Sequence, residues 1–208
     1  MKKKLLIAII LALYIAAFIL PTSASAGDNF KFSGNSVDAF FETFDESGCV
    51  GTFVFVFANK GKFQSPPGPG STSGFAEIFI DQFDFCSETS LLSASGGISL
   101  DNGAFQIDRS LTSASLNTTI RVFDFISGTE FDVNIDLAWV GVGDLSRSTF
   151  HSHFKSPGCA INERFRGSFR SAQASGTVFD GGTNFTPNPT DAAGLFSTNN
   201  GTLFIGCN

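Results

Sequence analysis

Residues Thr129–Val142 read TEFDVNIDLAWVGV. Phe131, Val133, Ile135, Leu137 and Trp139 alternate there with Glu130, Asp132, Asn134, Asp136 and Ala138. A repeat of two is the pattern of a strand with one face on a core and the other in water. A helix would need apolar residues every three or four positions, and this stretch has no such spacing.

Outward from this strand the chain keeps the same character. Apolar runs are rich in Phe, Val, Ile and Thr, which favour a pleated surface, and clusters of Gly, Ser, Asn and Asp separate them. The expected strands before it are Ser36–Phe44, Cys49–Ala58, Gly74–Cys86, Thr89–Leu100, Ala104–Ser110 and Ala114–Ile126. Those after it are Ser146–Lys155, Cys159–Ser171, Ala174–Phe179 and Thr202–Cys207. In Cys49–Ala58, Phe53, Phe55 and Phe57 share one face and Val50, Val54 and Val56 the other, so the strand is covered on both sides or shows an aromatic row. Many short strands with little helix imply an all-β fold, an antiparallel β-sandwich, with a closed antiparallel β-barrel as the alternative.

The connections carry matching turn chemistry. Asp101-Asn102-Gly103 suits a tight hairpin, Ser127-Gly128 a two-residue connection, and Pro157-Gly158 a type II turn. Segments 64–74 and 181–200, rich in Pro, Gly, Ser and Asn, are expected as loops. Phe83-Asp84-Phe85-Cys86-Ser87-Glu88-Thr89 and Phe123-Asp124-Phe125-Ile126-Ser127-Gly128-Thr129 agree at five of seven positions. With Phe so abundant, coincidence accounts for this match more readily than duplication.

The leader points to export. Lys2, Lys3 and Lys4 precede the uncharged run Leu5 to Leu20, Pro21, and the small residues Ala24-Ser25-Ala26. This is the three-part layout of a cleavable secretory signal over residues 1–26, followed by a single β domain over 27–208. The apolar run is shorter than the ~20 residues that span a bilayer, so no membrane span is expected after cleavage. Cys49, Cys86, Cys159 and Cys207 then read as two disulfides in an oxidising compartment. Pairing Cys49 with Cys86 and Cys159 with Cys207 closes moderate loops, although four cysteines allow other pairings. No C-x-x-C spacing supports a zinc site instead.

Three of the thirteen basic residues leave with the leader, so ten basic and nineteen acidic residues remain, a net charge of −9. That balance disfavours a nucleic acid partner. One ribbon runs against it. If 156–159 is a hairpin turn, Lys155 faces Ala160, His153 faces Asn162, His151 faces Arg164 and Thr149 faces Arg166. Arg147 and Arg170 fall on the same side by alternation, while Phe150, Phe154, Ile161, Phe165 and Phe169 fall on the other, expected to be core. Arg147, His151, His153, Lys155, Arg164, Arg166 and Arg170 therefore form a candidate anion-binding face, for an anionic glycan, a lipid headgroup or a protein surface. The histidines would strengthen binding in acid, where imidazole gains a proton. The bland reading is a solvated face whose arginines pair with Glu130, Asp132 and Asp136 on the preceding strand.

His151-x-His153 also places two imidazoles on one side of a strand, a spacing that can chelate zinc or copper if further ligands join. No glycine-rich phosphate loop, G-x-S-x-G elbow or free thiol is apparent, and no cofactor is expected. The leading expectation is an exported, non-enzymatic binding or surface-structural domain. The alternative is an exported hydrolase using a carboxylate pair, for which Asp81, Asp84, Asp132 and Asp136 form the pool.

Overall fold

A computed structural model describes residues 28–64, 71–156 and 159–207. The leader and the centre of the Pro157-Gly158 turn lie outside these residues, as does part of the first expected loop. The described chain is built of nine strands: β1 (Asp28–Phe44), β2 (Val50–Gln64), β3 (Ser71–Asp84), β4 (Thr89–Ser99), β5 (Phe105–Ile107), β6 (Ser113–Asp124), β7 (Thr129–Ser156), β8 (Cys159–Phe179) and β9 (Thr190–Cys207).

All pairings are antiparallel, in one sheet ordered β4-β3-β2-β1-β9-β8-β7-β6-β5, and β4 also pairs with β6. β4 and β6 meet in the two register pairs Ala94↔Asp124 and Ser95↔Phe123. The sheet thus curls until its halves share one core, a sandwich-like all-β fold with a short seam and no cleanly zipped barrel. Gly96 permits the approach, since a Cβ there would lie 2.3 Å from the Arg121 carbonyl oxygen.

The alternation in Thr129–Val142 holds: Val133, Ile135, Leu137 and Trp139 are buried while Glu130, Asp132, Asn134 and Asp136 are exposed. They pack with Val37, Ala39 and Phe41 of β1, Val54, Val56 and Ala58 of β2, Ile78 and Ile80 of β3, and Leu116, Ile120 and Val122 of β6. Trp139 crosses the core to donate its indole N–H to the Asp38 carbonyl at 2.8 Å. On β2 Val54 and Val56 join this core, and Phe53 and Phe55 on the opposite side pack against other rings. Phe53 packs near Phe40, Phe44 and Phe85, and Phe55 near Phe79.

Several expected boundaries move. Residues 71–74 belong to β3 and Gln64 to β2, because the pairing with β1 and β3 runs on to Gln64 and Phe63. Residues 190–200 belong to β9, held between β1 and β8, leaving a shorter loop that drops Phe185 and Thr186 into the interior. Thr186 Oγ1 accepts from the Val178 N–H at 3.0 Å and donates to the Gly176 carbonyl at 3.3 Å. The chain turns at Asp101-Asn102-Gly103, where Gly103 has φ of +101°, but no hairpin results. β5 pairs with β6 rather than with β4. Ser127-Gly128 is the second half of a four-residue connection closed by Asp124↔Thr129.

The two matching heptapeptides fold into matching turns. Asp84 Oδ1 accepts from the Cys86 and Ser87 N–H groups at 2.8 and 3.1 Å. Asp124 accepts from Ile126 and Ser127 at 2.9 and 3.2 Å. Gly128 and Glu88 both take positive φ at the same place. The first disulfide is Cys49–Cys86, tying the β1–β2 turn to the β3–β4 turn with a Cα separation of 5.3 Å. Cys159 is also disulfide-bonded, and it stands opposite Cys207 in the β8–β9 register.

Candidate functional site

The strand lengths create the site. β1, β2, β7, β8 and β9 overrun the core at the end opposite the Asp45, Asp84 and Asp124 turns, and there they form a platform ordered β2-β1-β9-β8-β7, flanked on the β2 side by residues 71–74 of β3. Register shifts mark where it begins: between Val142 and Ser146 on β7, and opposite Arg166/Gly167 on β9. Extra residues of this kind bend a strand. Gly143 helps at the first, with φ of +71°.

The hairpin register expected from the sequence is the observed one. Lys155 pairs with Ala160, His153 with Asn162, His151 with Arg164, and Thr149 with Arg166. Arg147 and Arg170 share their side by alternation, and Glu163 points the other way, where Ser152 Oγ donates to it at 3.5 Å. On β8 this side runs without a break into the core residues Ala172 and Ala174. The cationic side is thus the core-facing side of the sheet, prolonged past the end of the core.

The phenylalanine side is not core. Phe150 is 49% and Phe154 60% exposed, and Ile161, Phe165 and Phe169 are half-buried. Alternation groups these residues correctly, but it does not determine which group is covered. Near the core, Phe169 packs on Phe196 with ring centres 5.0 Å apart. Further out, nothing among the described residues covers Phe150 and Phe154.

Three further cations join from strands distant in sequence. Lys60 and Lys62 continue the side of β2 that carries Val56 and Ala58, and pair with Asn35 and Ser33. Lys31 pairs with Gln64 on β2 and with Thr202 on β9, which in turn pairs with Arg164. Eight of the ten basic residues outside the leader therefore share one side: Lys31, Lys60, Lys62, Arg147, Lys155, Arg164, Arg166 and Arg170. Both histidines lie there too, and no acidic residue of the five strands that has a register partner does; Asp144 falls in the bulge between Val142 and Ser146. All ten of these side chains are exposed except Arg170, which is half-buried. The lysines could have been noticed from Lys60-x-Lys62, but only the β1–β9 closure brings them beside the arginines.

Arg170 sits where platform meets core. Its Nε is buried without a hydrogen-bond partner among the described residues. Gly141 makes room for its stem, since a Cβ there would lie 2.6 Å from Arg170 Cδ. A depression of about 250 Å³ lies at the middle of the hairpin, bounded by Thr149, Phe150, His151, Arg164, Phe165, Arg166 and Asn200.

The acids of β6 and β7 do not neutralise this face. Among the described residues the only ion pairs are those of Arg121 on β6, with Asp132 at 2.9 Å and Glu130 at 3.9 Å. Hydrogen bonding and charge from Arg121 hold the Asp132 carboxyl below its ordinary value. Glu130 and Asp132 of β7 thus pair with the strand on their other side, away from β8.

His151 and His153 project to the same side, and His153 Nδ1 contacts Asn162 Oδ1. The only group of three potential metal ligands among the described residues is Cys49, Asp84 and Cys86, whose cysteines are joined in a disulfide. Of the acids considered for hydrolysis, Asp84 caps its turn, Asp132 holds Arg121, and Asp81 accepts from Ser93 Oγ at 2.8 Å. Asp136 is exposed on β7.

Comparison with known proteins finds no match: no family model, no curated protein and no solved structure is significantly similar to this chain.

Proposed function

We propose that this chain is an exported, non-enzymatic binding domain that holds an anionic partner against the cationic side of its platform. One observation carries the reading: eight basic side chains and two imidazoles share a side of five adjoining strands on which no register-paired acid stands. The protein is acidic overall, so this charge is local and is not the by-product of a basic composition. Guanidinium groups offer forked donors to carboxylate, sulfate or phosphate oxygens, and lysines add point charges around them. The disulfide Cys49–Cys86 and the lysine-led leader support an oxidising compartment outside the cytoplasm.

The test is retention on a sulfated resin at low salt. The double variant Arg164→Ala/Arg166→Ala is expected to elute at clearly lower salt than the wild type while keeping its thermal midpoint. Both side chains are exposed, so their loss leaves the core untouched. Unchanged elution would refute the proposal.

A further inference from the structure

We propose that the free edge of β7 takes up an extended acidic peptide as an added strand, which the cations of the platform select. The inference rests on the anion-binding reading above and names its partner.

The edge is long and open. β6 stays paired with β7 only as far as Ser113↔Val140, with one more bond from the Gly141 N–H to the Thr112 carbonyl at 2.8 Å. Beyond that point β7 continues to Ser156 with β8 on one flank, and no described strand lies on the other. From Val142 to Lys155 every residue is exposed except Ser152. Exposed strand edges present unpaired N–H and C=O groups that recruit other strands, and proteins ordinarily shorten or cover them. Here the edge is not short, and no described strand covers it.

Its side chains define the partner. Arg147, His151, His153 and Lys155 alternate along the edge on the cationic side, with Thr149 among them. Phe150 and Phe154 alternate on the other side, 49% and 60% exposed. A strand laid beside β7 places its own alternate residues on these same two sides, opposite these rows. The matching sequence therefore alternates acidic with apolar residues: the acids meet the cations, and the apolar side chains cover Phe150 and Phe154. A second copy is a poor match, since two β7 edges pairing antiparallel set cation against cation, and like charges directly opposite are destabilising. Main-chain bonds supply affinity and the alternating rows supply specificity.

The probe is a synthetic peptide of alternating Glu and Val, titrated into the intact protein and followed by calorimetry and amide hydrogen exchange. Two controls have the same side-chain composition. One places all Glu before all Val, and the other is N-methylated along its backbone. The alternating peptide is expected to bind and to slow exchange over 142–155. The N-methylated peptide is expected to bind at least about tenfold more weakly, because it cannot donate to the edge. Equal affinity for the N-methylated peptide, or no slowing over 142–155, would overturn strand addition. If a sulfated polysaccharide still bound in that case, the anion-binding face would stand and its partner would be a polymer lying across the platform. Failure of every probe, polysaccharide included, would remove both readings.

Discussion

The short β4–β6 seam leads to a prediction about Asp124. This residue is only 5% exposed, and it reaches beyond its own turn. Besides Ile126 and Ser127 it accepts from the Ser93 N–H at 3.2 Å, on the strand across the seam. The seam otherwise consists of the two register pairs Ala94↔Asp124 and Ser95↔Phe123 and the bond from the Phe125 N–H to the Ser93 carbonyl at 2.8 Å. Asp124→Ala leaves the Ile126 and Ser127 donors near water, which can replace the carboxylate. The part-buried Ser93 donor has no such replacement, and an unpaired buried donor costs about 1–3 kcal/mol. We expect a loss of about 2 kcal/mol, a fall of about 4–8 °C in the thermal midpoint for a chain of this size. Asp84→Ala supplies the comparison, because its carboxylate caps a matching turn through Cys86 and Ser87 alone, without the bond that Asp124 accepts from the strand across the seam. It should cost less, and only Asp124→Ala should speed amide exchange at Ser93 to Ser95. Equal losses in the two variants, with exchange at the seam unchanged, would refute this account of closure.

Other consequences follow from particular residues. Burial pushes the Asp38 carboxyl up to about 7 even though its hydrogen bond with the Gly194 backbone works the other way. Between the unfolded carboxyl value of 3.8 and about 7 the native state holds a proton that the unfolded state has released, so stability from this group falls as pH rises through that window. Asp38→Asn should therefore flatten the decline measured by urea unfolding from pH 4 to 8, and an unaltered decline would count against it. Asp124 behaves oppositely. Hydrogen bonding led by Ser127 holds its carboxyl below the ordinary value, so its contribution is present above the unfolded value and is lost on acidification. Trp139→Phe removes the only tryptophan and its bond to the Asp38 carbonyl. Thermal melts should show a loss of about 1–3 kcal/mol for the unpaired carbonyl, beyond any packing defect. Cys49→Ser with Cys86→Ser opens a link across a sequence separation of 37, for which chain entropy predicts about 3–4 kcal/mol in denaturant unfolding.

Where a signal was local, the sequence revealed it. Period-two alternation in Thr129–Val142 identified both the strand and its buried side. Counting outward from Ser156 and Cys159 placed His151 opposite Arg164 and His153 opposite Asn162, because an antiparallel hairpin fixes register from its turn. The same alternation misled about Phe150 and Phe154. It groups side chains by side, whereas burial depends on what lies above each side, and β7 and β8 outrun the core. Lys31, Lys60 and Lys62 could not be joined to the arginines without the β1–β9 pairing, a contact between opposite ends of the chain. The seam was hidden for the same reason, as it joins β4 to β6 past the short β5. Segments 71–74 and 190–200 read as loops from their Gly, Ser and Asn content, yet each is held by a long neighbour whose pairing outweighs local preference.

The unneutralised charge of the platform can be tested directly by comparing two substitutions that each remove one positive charge. Arg164 faces His151 on the cationic side, whereas Arg121 is already held by Asp132 and Glu130. Salt titration of binding to a sulfated polysaccharide should show Arg164→Ala releasing at lower salt than the wild type, with Arg121→Ala indistinguishable from it. Equal displacement by both substitutions would mean that only net charge matters, and the platform would then be no binding site.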